Sequence, residues 1–278
     1  MLFRTPRHTF DLTARGLIMG VLNVTPDSFS DGGQYLTPHA AVAHALAMEA
    51  EGADILDIGG ESTRPGAMAV PAEEEMRRII PVVRAVREQT RCAISVDTMK
   101  ASVAAAAMAA GADIINDVSG LCADPDMAAA AARTGAGLVL MHMQGTPANM
   151  QHRPAYTDVI AEVRASLRRS MEAALAAGVA AESIVLDPGI GFGKTLEHNL
   201  TILRDPAAFS LAGRPVLLGV SRKSFLGKIL GPGEPAARRW PTVALTSFAR
   251  ERGARIFRVH EVRENVHALR MTEAILAE

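Results

Sequence analysis

The sequence predicts a (β/α)8 barrel of the TIM type, an α/β fold with a short N-terminal cap or hairpin. Three observations carry this expectation: one motif recurs along the chain, it recurs often enough to supply eight strands, and nearly every recurrence ends in a polar side chain. The motif is an Ala-rich helical stretch, a glycine, and then a short apolar run. A glycine in the left-handed conformation stops a helix, and strands covered on both faces read as continuous apolar runs. A doubly wound open sheet would show the same alternation, and the closed barrel is the favoured reading.

In order, residues 1–16 form the cap and 17–22 the first strand. The second strand, 55–58, follows Gly52-Ala53-Asp54, and the third lies at 93–96. Gly111-Ala112-Asp113 leads into 114–117, and Gly135-Ala136-Gly137 into 138–142. Gly178 precedes 184–187, 216–220 is the seventh strand, and Gly253-Ala254-Arg255 leads into 256–260. Helices are expected over 38–51, 71–89, 100–110, 124–134, 158–177, 198–212, 236–252 and 262–277. Pro38 and Pro71 suit a first turn, and Glu73, Glu74 and Glu75 complement the positive end of a helix dipole. Nothing marks a domain boundary, so residues 1–278 read as one domain.

Composition narrows the function. A net charge of −1 argues against a nucleic-acid binder working through a broad basic face. Cys92 and Cys122 form no close metal-ligand pattern and no disulfide framework, which points to a reducing, cytoplasmic setting. The first eight residues lack the apolar run of a signal peptide, and no stretch is apolar enough to span a bilayer.

In a barrel, residues at the carboxyl ends of the strands face a common cavity. Here those positions hold Asn23, Asp57, Glu61, Asp97, Asn116, His142, Asp187, Ser221, Lys223, Arg258 and His260. Two long loops rich in glycine, proline and hydroxyls, 25–33 and 59–67, read as lids that order over a substrate and exclude water. The run 187–195 fails the phosphate-loop template because Pro188 stands where its first glycine is needed. It reads as a flexible turn in which Phe192 presents a ring to a flat ligand. Arg258 and His260 alternate around Val259 and so point the same way, an arrangement suited to an anion. For His142 a structural hydrogen-bonding role is expected, with Met141 as soft pocket wall. No clustered His or Asp pattern supports a tightly held transition metal, and no G-x-S-x-G elbow supports serine hydrolysis.

Taken together, these motifs resemble the dihydropteroate synthase family, pterin-binding TIM-barrel transferases of the bacterial folate pathway. The likeness runs in order from about Ile18 to Arg270. It includes Asn23-Val24-Thr25-Pro26-Asp27-Ser28-Phe29-Ser30-Asp31-Gly32-Gly33, Gly59-Gly60-Glu61-Ser62-Thr63-Arg64-Pro65-Gly66, Asp187-Pro188-Gly189-Ile190-Gly191-Phe192-Gly193-Lys194, Ser221-Arg222-Lys223-Ser224 and Arg258-Val259-His260. The resemblance implies condensation of 6-hydroxymethyl-7,8-dihydropterin diphosphate with 4-aminobenzoate. It implies that Asp97, Asn116, Met141, Asp187, Phe192 and Lys223 contact the pterin. Asn23, Thr63, Arg64, Arg258 and His260 would hold the diphosphate, and Thr63, Pro65, Phe192 and Ser224 the arylamine. Lys223, Arg258, His260 and Asp97 are the implied catalytic groups. Asn23 would touch Mg²⁺, most of whose ligands come from substrate oxygens and water. A homodimer is implied, with no nucleic acid or membrane partner. Two departures from the family pattern stand at Glu261, where aspartate is usual, and at Trp240-Pro241. A pterin-binding methyltransferase serving corrinoid proteins is a rival reading, as is a catalytically idle paralogue. Both lids and the Arg258/His260 pair argue against the first, and the retained Asn23, Thr63, Arg64, Lys223 and Arg258 against the second.

Overall fold

Eight parallel strands stand side by side in a closed ring in the computed structural model, which describes residues 1–25, 38–231 and 235–277. The ring starts with β3 (Leu17–Asn23), β4 (Ile55–Gly59), β5 (Ala93–Asp97), β6 (Ile114–Asp117), β7 (Gly137–Met141) and β8 (Ile184–Asp187), each paired with the next. A short β9 (Leu217–Leu218) follows, and β10 (Ile256–Val259) pairs with both β9 and β3. A bridge between Leu186 and Val216, with Leu186 N donating to Pro215 O at 2.9 Å, closes the circle. An antiparallel hairpin, β1 (Leu2–Arg4) with β2 (Thr9–Asp11), precedes the ring as the expected cap.

Alternation sorts the strand residues into two layers. Ile18, Leu22, Leu56, Ile58, Ile94, Val96, Ile115, Leu138, Leu140, Leu186, Leu218, Phe257 and Val259 point outward into one cluster with the surrounding helices. Leu17, Met19, Ile55, Ala93, Ile114, Val139, Val185, Leu217 and Ile256 fill the amino end of the barrel, and Phe3 and Leu12 of the hairpin region plug it from below. Both plug residues are fully buried. Each buried large apolar side chain contributes roughly 1.5–3 kcal/mol.

The helices are α1 (Pro38–Ala50), α2 (Ala72–Gln89), α3 (Ala101–Ala110), α4 (Met127–Thr134), α5 (Val159–Ala176), α6 (Leu196–Arg204), α7 (Ser224–Leu230), α8 (Arg239–Glu251) and α9 (Val262–Leu276). Gly111 ends α3 in the left-handed conformation at φ 115°, as the motif requires. Three expectations are corrected. The helix expected over 198–212 stops at Arg204, because Pro206 has no N–H to continue it; Asp205 instead caps a short 3-10 turn from Pro206 to Phe209. The strand expected over 216–220 pairs only through Leu217–Leu218, beyond the bridge at Val216. Helix α7 was not foreseen, because its short run was absorbed into a basic turn. Pro241 sits in the first turn of α8, where a missing N–H costs little, and Trp240 beside it is exposed. Among the described residues, no helix is long and apolar enough to cross a membrane.

Candidate active site

Two residues above the apolar plug, the inward positions turn polar: Asp57, Ser95, Asn116, Asp187 and Arg258. One residue pair higher stand Asn23, Asp97 and His260. The inner wall is therefore oily at the amino end and charged at the carboxyl end. Solvent is nearly absent from this layer, where Asp57 is 0% exposed and Asp97 and Asp187 are each 5% exposed.

Arg258 is the centre of the layer. Its Nε donates to Asp57 Oδ2 at 2.6 Å and a terminal nitrogen donates to Asp97 Oδ2 at 2.7 Å. Asn116 Nδ2 donates to the same Asp57 oxygen at 3.2 Å. Oδ1 of both aspartates has no hydrogen-bond partner. Burial pushes the Asp97 carboxyl up, with Arg258 opposing and Asp57 reinforcing the rise. The two carboxylates in turn hold Arg258 firmly protonated against its own burial.

Asp187 closes the opposite wall. Its Oδ1 accepts from Gly189 N at 2.7 Å. Burial raises its pKa to about 6, against that backbone hydrogen bond and the charges of Lys223, Lys194 and Arg258. Lys223 places its Nζ 3.8 Å from the centroid of the Phe192 ring, a cation–π contact. Burial and neighbouring Arg258 bring that lysine down to about 8. Phe192 packs with Val118, Met141 and Met150 into an apolar shelf at the mouth.

The turn 188–194 is not the flexible segment its glycines suggest. Gly189, at φ 70°, approaches β7 so closely that a Cβ there would lie 1.9 Å from the His142 carbonyl oxygen. Lys194 Nζ donates to the carbonyls of Gly189 and Phe192, and lies 3.0 Å from His142 Nδ1. His142 thus has the structural hydrogen-bonding role expected of it.

At the other rim, Ser221 Oγ lies 2.9 Å from His260 Nδ1. Burial, with Arg222 and Arg258 adding to it, lowers the His260 pKa to about 3, so the ring is neutral at ordinary pH. Glu261 accepts from Arg222 Nε at 2.8 Å and from Ser221 Oγ at 3.4 Å, fastening the basic turn to the start of α9. This departure from the family pattern thus braces the site directly.

The structure brings together Asp97, Asn116, Met141, Asp187, Phe192, Lys223, Arg258 and His260 around one cavity floor. Asn23 joins them at the end of β3, its Oδ1 3.9 Å from the position a Cβ on Gly59 would take. Thr63, Arg64 and Pro65 stand on the loop between β4 and α2, and Ser224 is the first residue of α7. Arg64, Pro65 and Ser224 are exposed, so these rim residues do not contribute to the buried floor. Gly66 N donates to Pro147 O at 2.9 Å, linking that loop to the one after β7. Most of the first lid, 26–33, lies outside the described residues. Sequence reasoning named Asp57 only among the strand-end residues facing the cavity, with no ligand to hold, and gave no role to Lys194. Alternation flagged the first, two positions before Gly59 on an inner face; nothing local flagged the second.

The sequence profile of a family described as pterin binding enzyme matches residues 19–260. The chain is 48% identical over 260 residues to the dihydropteroate synthase of Escherichia coli, covering 94% of this chain and 92% of that one. It superposes on a Yersinia pestis dihydropteroate synthase, solved with a sulfonamide drug complex, with a TM-score of 0.94 and 44% identity over 100% of both chains. A Xanthomonas albilineans dihydropteroate synthase in complex with 7,8-dihydropteroate gives a TM-score of 0.87 and 43% identity over 98% of this chain and 97% of that one.

Proposed function

The chain belongs to the family of pterin binding enzymes, and from that premise we propose that its barrel mouth carries out the dihydropteroate synthase reaction of folate biosynthesis. It condenses 6-hydroxymethyl-7,8-dihydropterin diphosphate with 4-aminobenzoate, giving 7,8-dihydropteroate and diphosphate. One observation carries the reading: a polar floor at the carboxyl end of the ring, where Arg258 donates to two buried aspartates, Asp57 and Asp97, whose Oδ1 atoms have no partner, and Asn116 donates to the same Asp57 oxygen as Arg258. Such a floor fits a ligand with N–H donors at one end and an anionic leaving group at the other.

In this reading Asp97, Asn116 and Asp187 hold the pterin edge, with Lys223 at its carbonyl and Met141 and Phe192 against its faces. Lys223, only half-buried at the mouth and aligned over Phe192, is suited to that place. Asn23, Thr63, Arg64, Arg258 and His260 receive the diphosphate. Thr63, Pro65, Phe192 and Ser224 receive the arylamine, whose carboxylate meets the Ser224 hydroxyl. The arylamine nitrogen attacks the exocyclic methylene as its bond to the diphosphate oxygen breaks. The leaving group takes that electron pair, and the nitrogen gives its extra proton to solvent or departing diphosphate. An arylamine is largely unprotonated at neutral pH, so the step needs no strong base from the protein. Stabilising the charge on the leaving group and excluding water carry the catalysis instead.

Among the described residues no cluster of three or more His, Cys, Asp or Glu could hold a metal ion. Asn23 offers one neutral oxygen, a donor set that fits Mg²⁺ carried in by the diphosphate. Bound there, Mg²⁺ supplies charge neutralisation for the leaving group. We further propose one cytoplasmic pterin-binding domain over 1–278 that works as a homodimer. The exposed Trp240 of α8 and Met271 and Ile275 of α9 support a self-association face.

The test is diphosphate release measured with and without 4-aminobenzoate and with and without Mg²⁺. Release that depends on both supports the reading; release without the arylamine refutes it.

A further inference from the structure

The reaction scheme gives Lys194 no part, although the residue is 3% exposed. A buried ammonium is tolerated only with compensating charge and hydrogen bonds. Its three N–H groups are spent on the carbonyls of Gly189 (2.9 Å) and Phe192 (3.0 Å) and on His142 Nδ1 (3.0 Å). Those partners lie on two separate pieces of chain, the turn 188–194 and the end of β7. Burial lowers the Lys194 pKa to about 7, with the charge of Asp187, at the root of the same turn, opposing that fall, so the ammonium is present below neutrality. His142 can serve as an acceptor because it is neutral, its pKa lowered to about 3 by burial and then by Lys194.

We propose that Lys194 is a positioning residue for the pterin site. Its ammonium ties the turn that carries Asp187 and Phe192 to His142, and sets a positive charge on the same turn as that aspartate. This rests on the functional reading above.

The geometry separates two roles, staple and charge. A staple alone fixes where Phe192 and Gly189 N stand. A charge also acts on Asp187 through space. Asp187 feels Lys194 from its own turn, Lys223 from the start of α7 and Arg258 from β10, all opposing the rise that burial imposes. His142 on β7 is neutral, and Asp97 on β5 faces Lys223 from the far wall. Removing one of three opposing cations lets the carboxyl protonate at a higher pH.

The experiment is equilibrium binding of 6-hydroxymethylpterin from pH 5 to 8.5 by Lys194→Met and Lys194→Gln, with thermal melts alongside. At pH 6.5 the methionine variant is expected to bind about ten-fold more weakly or worse. The pH below which binding fails moves toward neutrality in both variants. Lower melting with wild-type pterin affinity and an unmoved acid limb would overturn the proposal. Should the position-194 variants not fold, His142→Ala removes one partner and keeps the charge. Weaker pterin binding with the acid limb in place is then expected, and unchanged affinity overturns the proposal. Pterin binding needs no turnover, so a wild-type chain that binds pterin but forms no dihydropteroate defeats the functional reading and leaves this one standing.

Discussion

Replacing Asp57 with asparagine tests how the floor of the site holds its guanidinium. The substitution keeps shape and an acceptor oxygen, so Arg258 Nε can still donate across the 2.6 Å contact and Asn116 can still find a partner. What disappears is the charge. A hydrogen bond with an ionised partner is worth about 1.5–3 kcal/mol and a neutral one about 1 kcal/mol. The difference, about 0.5–2 kcal/mol, corresponds to roughly a 2- to 30-fold fall in kcat/KM for the pterin diphosphate. Without Asp57 to balance it, Arg258 turns wholly toward Asp97 and competes with the pterin for that carboxylate. KM for 4-aminobenzoate is expected to hold, because the rim around Ser224 and Pro65, proposed to receive it, is left intact. A second sign follows from charge: Asp57 is one of the groups raising Asp97, so its neutralisation lowers the pH at which Asp97 protonates. The assay is dihydropteroate formation at saturating 4-aminobenzoate, with the diphosphate varied across pH 5 to 8. A kcat/KM within two-fold of wild type, with no downward movement of the acid limb, refutes the idea that Asp57 sets up Arg258.

The remaining expectations concern pH, plug and buried charge. For the wild-type enzyme, pterin binding is proposed to need ionised Asp97 and Asp187, so kcat/KM is expected to fall below about pH 6–7; an acid limb near 4 in the pH–rate profile contradicts this. Deprotonation of Lys223 should give an alkaline limb near pH 8, removed in Lys223→Gln. Phe3→Ala opens a cavity in the barrel plug and should cost about 3–5 kcal/mol in urea unfolding without changing either KM; a loss below 1 kcal/mol means that the hairpin is not part of the core. Lys100→Met strands the buried carboxylates of Glu61 and Glu75, which it bridges, and should destabilise by about 3–5 kcal/mol at pH 7.5. Burial already raises the Glu75 pKa, so that carboxyl neutralises on acidification and the deficit should shrink toward pH 5; a loss that grows as pH falls refutes the account.

Much of the barrel was legible because its signal is repeated and local. Each strand announces itself by an apolar run after a glycine, and a parallel sheet buried on both faces leaves such runs uninterrupted. The inner wall was legible for the same reason: positions two apart share a face, so Arg258 and His260 declared their common direction before any coordinates. Local signals fail where the deciding partner is distant or the chain is punctuated by one residue. Pro206 broke a helix that periodicity would have carried to 212, and α7 was too short to display a period. Lys194 meets His142 52 residues away, and Arg258 meets Asp57 201 residues away. Neither pairing is written in the segment that supplies either member.

The same distance explains why the site is robust as a design. Its carboxylates come from β4, β5 and β8, and its cations from β10 and the start of α7, so no single loop can form the charge balance alone. Only closure of the ring brings three buried acids and two cations to one level, above an apolar plug that admits no charge. Ring closure itself rests on the Leu186–Val216 bridge and the two-residue β9, the shortest strand of the eight. That strand leads directly into Ser221 and Lys223. The seam of the barrel and the basic end of the active site are therefore one structural unit: loosening the seam, as Leu217→Ala would, should weaken pterin and diphosphate binding together before the hairpin end of the barrel melts. Hydrogen exchange that opens 217–223 no earlier than 93–97 in that variant would separate the two and defeat this coupling.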